Sequence, residues 1–299
     1  MRIAVTGSSG LIGTAVVRAL SQRGDDVVRI VRPVSNAKGV FWDPNSGQID
    51  RDGLEGIDAV IHLAGAQILG LWTRSRKRRI LESRVKGTSL MAKTVVELKR
   101  RPAALIVASG TNYYGNRPAS EEVDEKTSKG SGFLADVVEA WENAARPAAN
   151  AGIRVVNLRT GLVLAKGEGT LKFAVPPFYA GVGGRLGSGR QVWSWVALDD
   201  VVGSYLHAVD TTITGPVNVV APNPVTNAEF TRVLAGVLHR PSFMAVPEFV
   251  LRLGGQLVEE LILSGARIVP RKLLESGYHF RYSDLRTALQ AILAGQVGS

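Results

Sequence analysis

The chain reads as an α/β protein with a doubly wound parallel sheet, and three observations carry that reading. Apolar, strand-like runs alternate with amphipathic helical stretches through most of its 299 residues. The first run opens directly into three glycines, Gly7, Gly10 and Gly13. From about Gly215 onward helical patterning dominates, which predicts a smaller, mainly helical C-terminal lobe.

The elements follow in order. Arg2 to Val5 is a short apolar strand, and Leu11 to Gln22 has the spacing of an amphipathic helix. Between them, Gly7 permits the tight turn, Gly10 lets the backbone approach a pyrophosphate, and Gly13 lets the helix pack closely on the sheet. The helix N-terminus turns free N–H groups and a positive dipole end toward the phosphates. Gly7, Ser9, Gly10, Leu11, Ile12 and Gly13 are therefore the first cofactor candidates of a Rossmann-type domain. Asp26 to Arg32 is the second strand, at whose end an acidic residue would grip the ribose 2′-hydroxyl of NAD. Arg32 stands there instead. A guanidinium pairs with a 2′-phosphate through charge-assisted bonds, so the cofactor expected is NADP(H), with the loop 33–38 placed to add contacts.

Asp58 to Gly65 reads as a buried strand, Ala104 to Ser109 as another, Gly132 to Ala149 as a helix and Arg154 to Arg159 as a strand. Ligands of such sheets sit at the carboxyl ends of the strands. Those ends, Gly7 to Gly13, Arg32, His62 to Ala66, Ser109 to Tyr114 and Arg159 to Gly161, outline one site. Between two of the strands, residues 74–101 carry eleven basic residues against Glu82 and Glu97, interleaved with Leu81, Val85, Leu90, Ala92, Val95, Val96 and Leu98. The spacing predicts an amphipathic helix with its basic residues outward, of which Arg84 reaches the anionic cofactor. A nucleic-acid interface is not expected, because no binding motif or aromatic platform accompanies the charge.

The segment from about 165 to 195, with Pro176-Pro177, the glycines from Gly181 to Gly189 and two tryptophans, reads as a loop-rich wall beside the cofactor. The carboxylates of Asp199 and Asp200 read as caps of the helix that starts there. Domain boundaries are expected at 1–215 and 216–299. In the second part, Asn227 to Leu238, Pro247 to Leu263 and Ser283 to Leu293 read as helices. Val250, Leu253, Leu257, Val258, Leu261 and Ile262 form a stripe expected to pack inside the lobe or to meet a second copy, so monomer and homodimer both stay open.

Composition sets the bounds. A chain that is 45% hydrophobic and 21% charged, with a net charge of +10, suits an enzyme-sized globular protein acting on a small-molecule substrate. The sequence has no cysteine, which excludes disulfides and thiolate sites, and its four histidines lack ligand spacing, so no metal is expected. No apolar run reaches the roughly 18 residues of a membrane span, and a cytoplasmic location is expected.

The glycine spacing Thr-Gly-x-x-Gly-x-x-Gly resembles the short-chain dehydrogenase/reductase superfamily in its extended, epimerase-like branch. His62-Leu-Ala-Gly65 is similar to that branch's Asn/His-Leu-Ala-Gly element, and Ala108-Ser-Gly-Thr-Asn-Tyr-Tyr-Gly115 to its serine-rich strand ending in Tyr-Gly. Trp72, Ser83-Arg84-Val85, Gly87-Thr88, Arg159-Thr-Gly-Leu-Val-Leu164 and Gly187 to Trp195 with Asp199-Asp200 resemble an atypical subgroup. Its C-terminal domain of unknown function is matched by Val246 to Phe249, Ile268 to Tyr282 and Ala288-Leu289. The resemblance implies cofactor contacts from His62, Leu63, Ala64, Gly65 and Thr160, and substrate contacts from Arg185, Arg190, Gln191 and Trp193.

One departure matters for chemistry. The superfamily's general acid/base is a tyrosine followed four residues later by a lysine, and this chain has no Tyr-x-x-x-Lys; Gly132 to Glu142 stands where it is expected. Ser109, Tyr113 and Tyr114 are the remaining candidates, with either phenol the better donor, because an unassisted phenol titrates near ~10 and serves as an acid. Two functional classes follow. One is an NADP(H)-dependent oxidoreductase or epimerase-like enzyme for a small carbonyl, hydroxyl or sugar-nucleotide substrate; the other is a catalytically silent NADPH sensor.

Overall fold

The computed structural model describes residues 1–32 and 38–295. Eight strands form the main sheet: β1 (Arg2–Thr6), β2 (Asp26–Val31), β3 (Val40–Asp43), β4 (Gln48–Ile49), β5 (Ala59–His62), β6 (Ala104–Gly110), β7 (Arg154–Thr160) and β8 (Gly215–Val219). Their order is β8-β7-β6-β5-β1-β2-β3-β4. The pairs β1·β2, β1·β5, β5·β6 and β2·β3 are parallel, and the terminal β3·β4 pair is antiparallel. Helices α1 (Leu11–Gln22), α2 (Arg74–Glu97) and α3 (Phe133–Asn143) fall between strands in the chain. This is the doubly wound, Rossmann-type architecture expected, with chain order reversing direction at β1, where ligands of such sheets bind.

The inner strands owe their place to composition. Ile3, Ala4 and Val5 in β1 and Val60 and Ile61 in β5 are fully buried, as continuous apolar runs must be when both sheet faces are covered. Each of the larger side chains contributes roughly 1.5–3 kcal/mol by leaving water.

Two compact units divide the chain. One comprises Met1–Ser109, Val137–Arg159 and Val202–Val217; the other comprises Gly110–Asp136, Thr160–Val201 and Asn218–Ser299. The first has a core under the sheet, where Trp42, Leu54, Met91, Val95, Leu105 and Trp141 pack together. The second has its own core around Trp193, Trp195, Phe178, Phe230 and Leu289.

Several local expectations change. The stretch read as one helix from Gly132 to Ala149 is α3 followed by a short helix Arg146–Asn150, because Pro147 lacks the N–H that a continuous helix needs. The stretch read as a helix from Pro247 to Leu263 is three short pieces, Glu248–Arg252, Gly255–Val258 and the π-turn Glu259–Leu263, interrupted where Gly255 takes φ +67°. The apolar stripe is thereby broken: Leu253 is 84% exposed and Val250 41%, so they do not pack inside the lobe. Leu171–Tyr179 is helical although Pro176 and Pro177 lie within it and had read as loop. Of the apolar residues expected on the inner face of helix α2 and just beyond it, Ala92, Val95 and Leu98 are buried, but Leu81, Val85, Leu90 and Val96 are only half-buried, and Ile80, Arg84, Gly87, Thr88 and Met91 are buried with the first three. No helix among the described residues is long and apolar enough to cross a membrane.

Candidate functional site

The glycine turn of the first unit has the geometry of an anion cradle. Gly7 takes φ +65°, and a Cβ there would lie 2.9 Å from the Leu63 carbonyl carbon. A Cβ on Gly13 would lie 2.1 Å from the Gly7 carbonyl oxygen, so only glycine lets α1 start this close to the turn. Gly10 is different: it is exposed, and its Cβ would meet nothing nearer than 3.5 Å, which leaves that face open. Gly10 is also the N-cap of α1, with no side-chain cap and no acidic residue in the first turn. Leu11 and Ile12, half-buried, begin the helix, so their N–H groups have no carbonyl within it, and Ser9 is exposed beside them. The residues present fit a pyrophosphate.

Thr6, the last residue of β1, ties this turn to the end of β5. Its hydroxyl oxygen accepts hydrogen bonds from the backbone N–H of Leu63 (3.0 Å) and Ala64 (3.2 Å). With both lone pairs taken, its proton goes to Nδ1 of His62 at 2.9 Å, which places the imidazole proton on Nε2. His62 is fully buried, Nε2 finds no acceptor, and Trp42 meets the ring edge-on at 5.7 Å. Burial pushes the His62 pKa down to about 4, so the ring is neutral. His62 thus shapes the Leu63-Ala64-Gly65 loop from beneath rather than facing a ligand.

Arg84 lies under the same loop. Its Nη1 donates to the carbonyls of Ala66 (3.0 Å) and Ile80 (3.1 Å), its guanidinium lies 4.9 Å from the Trp141 ring centre, and a Cβ on Gly65 would come within 3.4 Å of its Cζ. Burial lowers its pKa to about 10. These partners are two carbonyls and a ring, none an anion. Arg32 follows the last residue of β2 and is exposed. Of the neighbouring loop 33–38, residues 33–37 lie outside the described residues.

The proton-donor candidates divide. Ser109 donates its hydroxyl to Oε1 of Glu142 at 2.7 Å, and Arg159 grips both oxygens of that carboxylate, Nε to Oε1 and Nη2 to Oε2, each at 2.7 Å. The bidentate pair holds Glu142 as an acceptor and commits the Ser109 proton to it. Tyr114, in the second unit, is fully buried and donates to Oδ1 of Asn218 at 2.7 Å. Both hydroxyls are consumed internally, which corrects their reading as proton donors. Tyr113 is partly exposed and packs edge-on against Tyr114.

The second unit contains a cavity of about 100 Å³ lined by Thr111, Asn112, Thr160, Trp193, Glu260 and Ser264, among others. Thr111 and Thr160 follow directly from β6 and end β7, and the Thr111 hydroxyl donates to the Thr160 carbonyl at 3.4 Å. Of the predicted substrate residues only Trp193 lines it. Arg185 is exposed and donates to the Ser188 carbonyl; Gln191 spends both amide protons on the carbonyls of Leu186 and Ile262; Arg190 is exposed after the turn at Gly189. Asp199 and Asp200 lie in the first turn of the helix Leu198–Asp210, and the buried carboxylate of Asp200 also accepts the N–H groups of Arg281 and Tyr282 and fixes that loop. Among the described residues no group of three or more metal-ligating side chains is assembled.

Sequence reasoning missed Glu260, Thr6 and Glu142. Thr6 was visible only as the residue before Gly7; Glu260 sits in a stretch read for its apolar stripe, and nothing local marks it.

A family model described as the NAD dependent epimerase/dehydratase family matches residues 3–221, and a domain of unknown function matches residues 246–292. An epimerase family protein of Mycobacterium bovis is 40% identical over 291 residues, 96% of each chain. The crystal structure of human epimerase family protein SDR39U1 with NADPH superposes with a TM-score of 0.90 at 33% identity, covering 98% of this chain and 99% of that one. A nucleoside-diphosphate sugar epimerase from Corynebacterium glutamicum gives a TM-score of 0.80 at 34% identity, covering 98% of this chain and 58% of that one. Glycine turn, sheet order and these likenesses agree: the chain belongs to the NAD dependent epimerase/dehydratase family.

Proposed function

We propose that this protein binds NADP(H) at the glycine turn and is an oxidoreductase for a small carbonyl or hydroxyl compound. The observation that carries the reading is the bare N-terminus of α1, uncapped and without an acidic residue, beside an exposed Arg32 where an NAD-specific site would hold a carboxylate. The human relative solved with NADPH supports the same cofactor. Gly7, Ser9, Gly10, Leu11, Ile12 and Gly13 would hold the pyrophosphate, Arg32 the 2′-phosphate, and the loop Leu63-Ala64-Gly65, supported by His62 and Arg84, the floor beside it. NADPH, when bound, supplies a hydride equivalent to a carbonyl carbon. The carbonyl oxygen then needs a proton, and Tyr113 is the predicted donor that keeps partial exposure. Thr160, at the end of β7, supports the ligand from the strand's carboxyl end.

The test is titration of the purified protein with NADPH and NADH, read by tryptophan-to-nicotinamide energy transfer, beside an Arg32→Ala variant. NADPH binding weakened by the substitution supports the reading; failure of both nucleotides to bind overturns it. A second reading, a silent NADPH sensor, is favoured by the internal use of the Ser109 and Tyr114 hydroxyls. Tyr113→Phe separates the two, since it lowers turnover in an enzyme and leaves nucleotide binding alone in both cases.

A further inference from the structure

The first unit carries a basic tip that the nucleotide reading leaves unused. Helix α2 opens with Arg74, Arg76, Lys77, Arg78 and Arg79, and no acidic residue stands in its first turn. A helix N-terminus is the positive end of the peptide dipole, where carboxylates stabilise and cations destabilise. Arg74 and Arg78, four residues apart, add a like-charge pair. Arg74, Arg78 and Arg79 are exposed, and none of them has an ion pair or hydrogen bond among the described residues. Arg76, Arg78 and Arg79 line a groove of about 490 Å³ with Asn45 and Ser75, and the one carboxylate on it, Glu82, accepts from Lys86 at 3.2 Å. Cations are thus gathered where helix energetics alone would place acids, and an anion from outside relieves them.

Directly before the helix runs an apolar loop that is exposed and yet firmly held. Leu71 is 83% exposed and Leu69 48%. Arg76 donates through Nη2 to the carbonyls of Gln67 (3.2 Å) and Leu69, and Trp72 donates its indole N–H to the Ile68 carbonyl at 2.9 Å. The Ala66 N–H goes to the Ser83 hydroxyl at 3.0 Å, and its carbonyl accepts from Arg84 at 3.0 Å. Gly70 takes φ +118°, and a Cβ there would lie 3.0 Å from Cζ of Arg76, so glycine admits the guanidinium. The Lys77 ammonium lies 5.8 Å from the Trp72 ring centre. A fixed backbone therefore presents the two leucines, with a tryptophan and then the cations next along the chain. Successive residues turn about 100° round a helix axis, so the five cations surround the helix start and flank the leucines on whichever side these lie.

We propose that this tip docks on an anionic lipid surface, with Leu69 and Leu71 entering the acyl boundary, Trp72 at the interface and the arginines among the headgroup phosphates. The order along the chain, apolar residues, tryptophan, cations, is the order of layers that a membrane surface offers. A fluid sheet of phosphates meets cations on all sides of a helix end at once and needs no matched pocket for each. A nucleic acid would use the same charge but offers nothing to two exposed leucines. The net charge of +10 adds attraction at longer range.

The experiment sediments the full chain with vesicles of phosphatidylcholine alone and of phosphatidylcholine mixed with phosphatidylserine. Leu71→Ser and the double variant Arg78→Gln, Arg79→Gln are compared with the parent, and Leu69→Ser, made separately, repeats the apolar test. Urea midpoints and NADPH energy transfer, both expected to stay in place, show that each variant is folded. The expected result is binding to the mixed vesicles only, weakened by salt, by roughly thirtyfold in the double variant and by about tenfold in Leu71→Ser. Equal binding to both vesicle types, binding to neither, or indifference to both leucine substitutions overturns the proposal. Duplex DNA or polyglutamate that binds as tightly as the mixed vesicles assigns the cations to a dissolved polyanion and overturns it as well. So does weaker NADPH binding in Leu71→Ser, which would give that side chain to the nucleotide site.

Discussion

Two helix N-termini in this molecule meet the same electrostatic problem in opposite ways. Helix α1 starts at Gly10 with no side-chain cap and no acid in its first turn. Helix α3 starts with its first two N–H groups already on the carboxylate of Glu260, 126 and 127 residues further along the chain. Both positive dipole ends attract an anion. The first is left open by three glycines at fixed spacing, the second is filled by the chain itself, and the contrast between a bare helix end and a filled one marks the bare one as the end that takes a ligand from outside.

The comparison breaks most sharply at Gly13. Gly13→Ala puts a methyl group 2.1 Å from the Gly7 carbonyl oxygen, a backbone atom that cannot swing aside. The expected outcome is destabilisation by about 2–3 kcal/mol, as for overpacking, and NADPH affinity reduced at least ~100-fold, equivalent to about 2.7 kcal/mol. Gly10→Ala is the control, since its methyl would meet the protein only at 3.5 Å. It should leave the urea midpoint in place while reducing NADPH affinity about tenfold by intruding on the ligand face. Equal effects of the two substitutions on stability would show that the turn is not the close-packed element described.

The open helix end was legible in the sequence because everything that makes it lies within a dozen residues. Gly7, Gly10 and Gly13 act locally, and their spacing after an apolar strand is the signal. The sheet was legible for the same reason: Val60 and Ile61 belong to an unbroken apolar run that only a strand covered on both faces uses. The filled helix end was not legible. Glu260 lies on a π-turn that the apolar spacing had concealed, and the pairing depends on tertiary approach rather than sequence neighbourhood. Arg84 was half legible: a cofactor-side role was expected of it, but a guanidinium buried on Trp141 among basic residues that face outward looks like its neighbours in sequence. The short strands β3 and β4 escaped notice because two to four residues carry no periodicity.

The open end also depends on what stands behind it, and His62 sharpens that point by pH. Its pKa is lowered from 6.5 to about 4, so the folded protein declines a proton that the unfolded chain accepts below pH 6.5. Stability should therefore be level above that value, decline as pH falls from 6.5 toward 4, and level off below, with a total of roughly 3 kcal/mol for this group. Urea unfolding at a series of pH values, compared with His62→Gln, checks it: the decline should shrink in the variant. An unchanged slope would assign the acid sensitivity elsewhere.

At the filled end, Glu260→Ala removes the acceptor of two backbone donors. The expected cost is about 1–2 kcal/mol, the usual value of a lost N-terminal cap. Hydrogen exchange should accelerate at the amides of Phe133 and Leu134 and stay unchanged at α1. Protection lost at both helices would mean that the two ends are not independent.

The smallest effect belongs to the charge that completes the open end. Arg32 is exposed, so its bond to a 2′-phosphate competes with water and salt, and its contribution is modest. Arg32→Ala should weaken NADPH about tenfold, near 1.4 kcal/mol, and leave NADH within twofold, because only the former carries the phosphate. The preference should also shrink as ionic strength rises from 0.01 M, where charges interact across about 30 Å, to 1 M, where they are screened beyond about 3 Å. A preference that survives both the substitution and high salt would move the selectivity from this charge to the pyrophosphate cradle, where the bare helix end makes no distinction between the two nucleotides.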